Sequence, residues 1–168
     1  MKSSNARDLN EAARILEGVT KEFADNPWAF AELGNCYLKL KRARKSVEAL
    51  QSACRLNREL GDSSKLGRVL NDLGNAYVAA GDVSNAINTL REAVKLQPGG
   101  AKGRALNDLG NAYVAAGDVS NAIDTLREAV ELQPGGAKGR ALNDLGNAYA
   151  AAGDVSNAID TLREAVEL

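Results

Sequence analysis

Residues Val69 to Arg104 read VLNDLGNAYVAAGDVSNAINTLREAVKLQPGGAKGR, and the same 36-residue sentence returns from Ala105 to Arg140 with changes only at Val69/Ala105, Asn88/Asp124 and Lys95/Glu131. A third copy runs from Ala141 to Leu168. Gly74, Gly110 and Gly146 mark the 36-residue period, whereas Gly34 precedes Gly74 by 40 residues, which predicts a longer linker after the first copy. A fixed period of this length is the mark of stacked supersecondary units, none of which can bury its apolar face alone.

Within one copy Leu70, Leu73, Gly74 and Tyr77 fall at i, i+3, i+4 and i+7, which puts one apolar stripe on a first helix. Val83, Ala86, Ile87, Leu90, Ala93, Val94 and Leu96 make the stripe of a second. Between them Gly81 suits the left-handed position that ends a helix, and Asp82 can cap the orphan amides of the next. Pro98, Gly99 and Gly100 stop the second helix. Gly74 costs about 1 kcal/mol inside a helix. Close approach of the facing helix, with room left for Tyr77, would offset that cost. The expected fold class is all-α, built of antiparallel helix pairs.

With 168 residues the chain has ample material for a core. Lys and Arg (21) balance Asp and Glu (22) and the signs are interspersed, so no field draws in nucleic acid or an anionic membrane, and neither is expected as a partner. Cys36 and Cys54 have no metal-ligand spacing and read as core thiols of a reducing compartment. The stretch Met1 to Asn10 is polar and no later run has the length of a membrane span, so a cytoplasmic protein is expected.

The absence of histidine removes the commonest general base and metal ligand, and no metal or other cofactor is expected. Asp72, Asp108 and Asp144 recur in register with the repeat, which favours a solvated or salt-bridged face over a catalytic pair, since such a pair needs individually different environments. We expect no enzyme. The stretch Gly99-Gly100-Ala101-Lys102-Gly103, repeated at Gly135 to Gly139, lacks the spacing of a phosphate loop and reads as a helix linker. Trp28 is expected to pack beneath the N-terminal helix rather than to stand exposed as a ligand anchor.

These residues resemble the tetratricopeptide repeat family. The matching positions are Leu70, Leu73, Gly74, Tyr77, Gly81, Ala86, Leu90, Ala93 and Pro98, their counterparts one period on, and, except for the proline, those two periods on. Residues 27 to 60 are a divergent copy, with Leu33, Gly34, Tyr37, Leu50 and Ala53 in place but Lys41, Ser46 and Arg58 where Gly, Ala and Pro are usual. Residues 8 to 24 look like the second helix of a repeat whose first is missing. The resemblance implies a right-handed superhelical solenoid divided as 1–26 (half repeat), 27–66 (divergent repeat and long linker), 67–102, 103–138 and 139–168, the last without a C-terminal cap helix.

The resemblance also implies a non-catalytic scaffold whose first helices line a concave groove for an extended peptide or partner protein. The groove positions are then Asn35, Arg68, Asn71, Asp72 and Asn75, Arg104, Asn107, Asp108 and Asn111, and Arg140, Asn143, Asp144 and Asn147. Some relatives clamp a ligand carboxylate there with Lys, Asn and Arg, but Ala31, Asp72 and Asp108 replace three of those groups, and this mode is disfavoured. The column Asn35, Asn75, Asn111 and Asn147 remains. Each amide offers a donor and an acceptor to a peptide unit, or equally to a neighbouring element of the fold. Arg104 and Asp108, at i and i+4, are expected to pair. The alternative reading is an engineered or structural array with no natural ligand, held together or self-assembling through open solenoid ends. In either case weak self-association through Ala158, Ile159, Leu162, Ala165 and Val166 is expected.

Overall fold

Asp62, Asp118 and Asp154 each turn a side-chain oxygen onto the amide three residues ahead, at Lys65 (3.0 Å), Asn121 (3.3 Å) and Asn157 (3.2 Å). Such caps satisfy donors that the first helical turn leaves unpaired. Just before three helix starts, Gly81, Gly117 and Gly153 take φ values of 81°, 75° and 78°, a left-handed turn that suits a residue without Cβ. The punctuation read in the sequence therefore operates as a set of tight helix-to-helix turns. The computed structural model describes residues 2–167, with side chains from Ala6 onward; Met1 and Leu168, which bound the outermost expected segments, lie outside the described residues. The described residues form helices and turns, with no strand.

The chain divides into two compact units, Met1–Asp82 and Val83–Leu168. The first holds α1 (Lys2–Glu22), α2 (Pro27–Lys39), α3 (Ala43–Glu59) and α4 (Ser63–Ala80), each packed on the next, with α2 also touching α4. Short turns between neighbours in contact make them antiparallel. Ala13 of α1 joins Leu33, Tyr37 and Ala49 in one core cluster, with Leu16, Cys36 and Leu40 against it. The N-terminal helix thus covers α2 as a second helix of a repeat would.

The divergent copy differs from expectation in one respect. Its extra length is not a long linker: α3 has 17 residues where the second helix α5 has 14, and only Leu60, Gly61 and Asp62 separate it from α4. Arg58 stands where the next two copies have Pro98 and Pro134, so no proline stops the helix there. Lys41 adopts φ 58° in the place of the turn glycine, a conformation that costs an L-residue about 1–2 kcal/mol. Ser46, fully buried in the place of the usual Ala, donates its hydroxyl to the Gly34 carbonyl at 2.8 Å and so is satisfied.

The second unit holds α5 (Val83–Leu96), α6 (Gly99–Ala115), α7 (Val119–Leu132), α8 (Gly135–Ala151) and α9 (Val155–Val166), again packed in sequence, with α6 also touching α8. Ala86, Leu90, Ala93, Leu106, Leu109, Ala122, Leu126 and Ala129 are buried, as the stripes require. The expected close approach is present: a Cβ on Gly110 would lie 2.5 Å from Leu126 Cγ, and one on Gly34 2.5 Å from Leu50 Cγ. Gly99 to Gly103 form the first turns of α6 rather than a linker. Gly103 is buried against Leu132 and Gln133, its carbonyl accepts from Gln133 Nε2 at 3.0 Å, and Lys102 pairs with Glu128 at 2.7 Å. That lysine is committed to the fold.

Candidate peptide-binding face

The first helices of each unit lie side by side, and the groove positions fall on them. In the first unit Asn35 of α2 donates its side-chain amide to Asp72 of α4 at 3.2 Å. Asn71 and Asn75 flank Asp72 on the same helix and are half-buried, while Arg68 is exposed. In the second unit Asp144 of α8 accepts from two amides of α6 through one oxygen, Asn107 at 2.7 Å and Asn111 at 2.9 Å. A hydrogen bond to a charged acceptor contributes about 1.5–3 kcal/mol where it is shielded, and less where water competes. Asp108 is half-buried beside Asn107 on α6. Arg104, Arg140, Asn143 and Asn147 stand exposed on the same two helices.

Two members of the asparagine column are therefore engaged sideways. Asn35 and Asn111 bond the aspartate of the neighbouring first helix, so their amide donors belong at least partly to the repeat stack. Asn107 Oδ1 is buried with no hydrogen-bond partner among the described residues. Asp108 of α6 is itself engaged by another group. At the equivalent position one copy on, Asp144 takes the two asparagine amides. The arginines are left as exposed fork donors on a surface whose carboxylates are already engaged.

A second recurring contact was not read from the sequence. Each first-helix tyrosine, buried at Tyr37, Tyr113 and Tyr149 and half-buried at Tyr77, brings its hydroxyl to a polar side chain of the preceding second helix: Tyr37 to Glu17, Tyr77 to Gln51 (2.7 Å), Tyr113 to Arg91 (2.7 Å) and Tyr149 to Arg127 (2.8 Å). The two arginines also lie over the rings at 5.6 and 5.5 Å from the centroids, a cation–π geometry. Burial first, then the Glu17 carboxylate, push the Tyr37 hydroxyl up to about 12. Burial likewise raises the Cys36 thiol; Cys54 is buried, and the two cysteines are not joined in a disulfide. The signal for the tyrosine pairs was present, since Arg91 and Arg127 each precede their tyrosine by 22 residues. Trp28 departs from expectation: it sits in the first turn of α2, beyond the cover of α1, and is 63% exposed.

Among the described residues no group of three or more Cys, Asp or Glu could hold a metal ion, and no helix is long and apolar enough to cross a membrane. The chemistry on these helices is that of hydrogen bonding and charge.

Packed helix pairs with a buried Gly–Leu contact and a tyrosine at each joint define a helical repeat protein. The tetratricopeptide repeat family pattern matches residues 71–137 and 108–168, and a second pattern of that family matches residues 25–99. The chain belongs to the tetratricopeptide repeat family. No curated protein matches it. Among solved structures it is similar to a kinesin light chain candidate of Podosopora anserina with nearly identical TPR-like repeats, at 22% identity and a TM-score of 0.81, over 98% of this chain and 91% of that one. MamA is similar at 24% identity and a TM-score of 0.79, over 99% and 91%. YrrB, a TPR protein with an unusual peptide-binding site, is similar at 20% identity and a TM-score of 0.71, over 98% and 79%. At these identities the likeness is one of fold.

Proposed function

We propose that the chain is a non-catalytic scaffold of the cytoplasm that holds an extended peptide or a partner protein on the face of its first helices. The observation that carries this reading is the pair of amides from Asn107 and Asn111 on Asp144. They lock α6 to α8 and leave Arg104, Arg140, Asn143 and Asn147 exposed on a fixed surface. Preorganised donors lose little freedom on binding, which raises the affinity that each contact yields. Arg104 and Arg140 offer forks to backbone carbonyls or acidic side chains, Asn143 and Asn147 pair with peptide units, and Asn107, Asn111 and Asp144 position them. In the first unit Arg68, with Asn35, Asn71, Asp72 and Asn75, presents a face of the same composition. The peptide-binding site of YrrB supports a ligand of this class.

The near identity of the copies favours a second reading, an engineered or structural array with no natural ligand. Selection from a random peptide display library, followed by calorimetry, separates the two. Ligands should be enriched, and Arg140→Ala or Asn147→Ala should each weaken them by about 0.5–1.5 kcal/mol, the net worth of one hydrogen bond. Equal enrichment on a variant with Arg104, Arg140, Asn143 and Asn147 all changed to Ala would refute the binding face.

A further inference from the structure

The basic and acidic groups that balance over the whole chain do not balance at the corner between α2 and α3. Lys39, Lys41, Arg42, Arg44 and Lys45 put five of the chain's 21 cations into seven residues that hold none of its 22 acids. All five are exposed. The equivalent stretch of the second unit, Ala115 to Asn121, carries one charge, the aspartate Asp118 that caps α7. Arg42 takes the place of that aspartate and makes no side-chain cap, so the positive end of α3 adds to the cluster instead of being offset. Ala115, Ala116 and Gly117 are exposed although α5, α7 and α8 all pack on α6, so a corner of this kind faces solvent even where neighbours are present on both sides.

The fold does not neutralise the cluster. No ion pair among the described residues uses any of the five cations. Arg42 donates to the neutral Asn10 side chain at 2.8 Å, and Lys45 lies 5.4 Å from the centroid of the Tyr37 ring. Those contacts hold the two side chains in place and leave their charge intact. Glu32 and Glu48, the nearest acids along the chain, pair with none of the five, and Glu17 of α1 accepts from the Tyr37 hydroxyl. Like charges held this close create a local field that an anion relieves on arrival.

We propose that this corner is a docking patch for an acidic segment of a partner polypeptide, a run of Asp and Glu side chains, separate from the asparagine–aspartate face of the first helices. Arg42 and Arg44 can grip carboxylates through both nitrogens of the fork, and the three lysines adapt to the carboxylates beside them. A membrane surface fits less well, because no large apolar side chain stands exposed from Lys39 to Lys45 to enter it. A single-stranded nucleic acid also fits less well. Trp28, the exposed aromatic of α2, stands at the other end of that helix, roughly 16 Å away by helical rise, so bases would have no stacking platform beside the cations.

The test uses the full chain and a fluorescently labelled peptide of alternating Asp and Glu. Titration followed by anisotropy should saturate at low salt and weaken as salt rises, whereas the counterpart of alternating Asn and Gln should not bind. Arg44→Ala should weaken binding about 2- to 5-fold, the worth of one exposed ion pair. Lys39→Glu combined with Arg44→Glu should weaken it at least about tenfold. Both side chains are exposed, so circular dichroism should show the variant still helical. No saturation at millimolar peptide, or binding indifferent to the charge reversal, would overturn the proposal. Loss of binding in Arg104→Ala with Arg140→Ala instead would put the acidic peptide on the first-helix face and overturn it equally. So would phosphatidylserine vesicles or a polythymidylate strand bound more tightly than the peptide and released by the same reversal, which would assign the corner to a membrane or a nucleic acid.

Discussion

The Gly–Leu contact is the tightest joint in the repeat, and it predicts an order among substitutions that look the same in sequence. Alanine at Gly110 gains about 1 kcal/mol of helix propensity but would place its Cβ 2.5 Å from Leu126 Cγ and 2.7 Å from Cδ2, on a completely buried side chain. Overpacking of this kind typically costs 1–3 kcal/mol, so Gly110→Ala should lower stability in urea unfolding. At Gly146 the same substitution meets Leu162 at 2.6 Å, but Leu162 is half-buried on α9 and can yield. Gly146→Ala should therefore cost less than Gly110→Ala. Equal losses would mean that the contact is not what limits the position. Tyr37 makes a second residue-scale prediction through pH. Its folded value of about 12 lies above the ~10 of a free phenol, so the neutral hydroxyl contributes stability that is complete below pH 10 and lost as pH rises toward 12. Thermal melts should show a steeper alkaline decline for the parent than for Tyr37→Phe, and parallel declines would contradict the assignment.

Because α7 and α9 share one sequence, any difference between them measures cover rather than composition. Hydrogen exchange should find the amides of Ala158 to Leu162 at least roughly tenfold less protected than those of Ala122 to Leu126, equivalent to about 1.4 kcal/mol of local opening. Equal protection would show that the helix stands without a neighbour. At this scale the sequence was largely legible: period, stripes, turn glycines and aspartate caps all correspond to observed helices, because each depends on residues within one or two turns. What escaped was lateral. The partner of Asn35 is 37 residues away and that of Asn111 is 33 away, so a periodic reading places donor and acceptor in separate columns and cannot show that they meet. Trp28 was misplaced for a related reason, since its burial depended on how far α1 extends over the first turn of α2. The length of α3 was hidden because a missing proline leaves no positive signal of where a helix will end.

For the molecule as a whole, the proposed arrangement is that the first helices carry the ligand while the second helices serve mainly the stack. Leu90 and Leu126 of the second helices are completely buried, whereas the exposed polar groups of α6 and α8 share one pair of helices locked through Asp144. Family membership makes protein binding the general expectation, and the locked face names where to look. The most direct measurement is nitrogen-15 chemical-shift mapping of the full chain with a display-selected peptide. The account predicts that shifts concentrate on α6 and α8, including the side-chain amides of Asn111, Asn143 and Asn147, and that they shrink when Arg104 and Arg140 are changed to alanine. Shifts confined to α5, α7 and α9, or unchanged by the arginine substitutions, would contradict it.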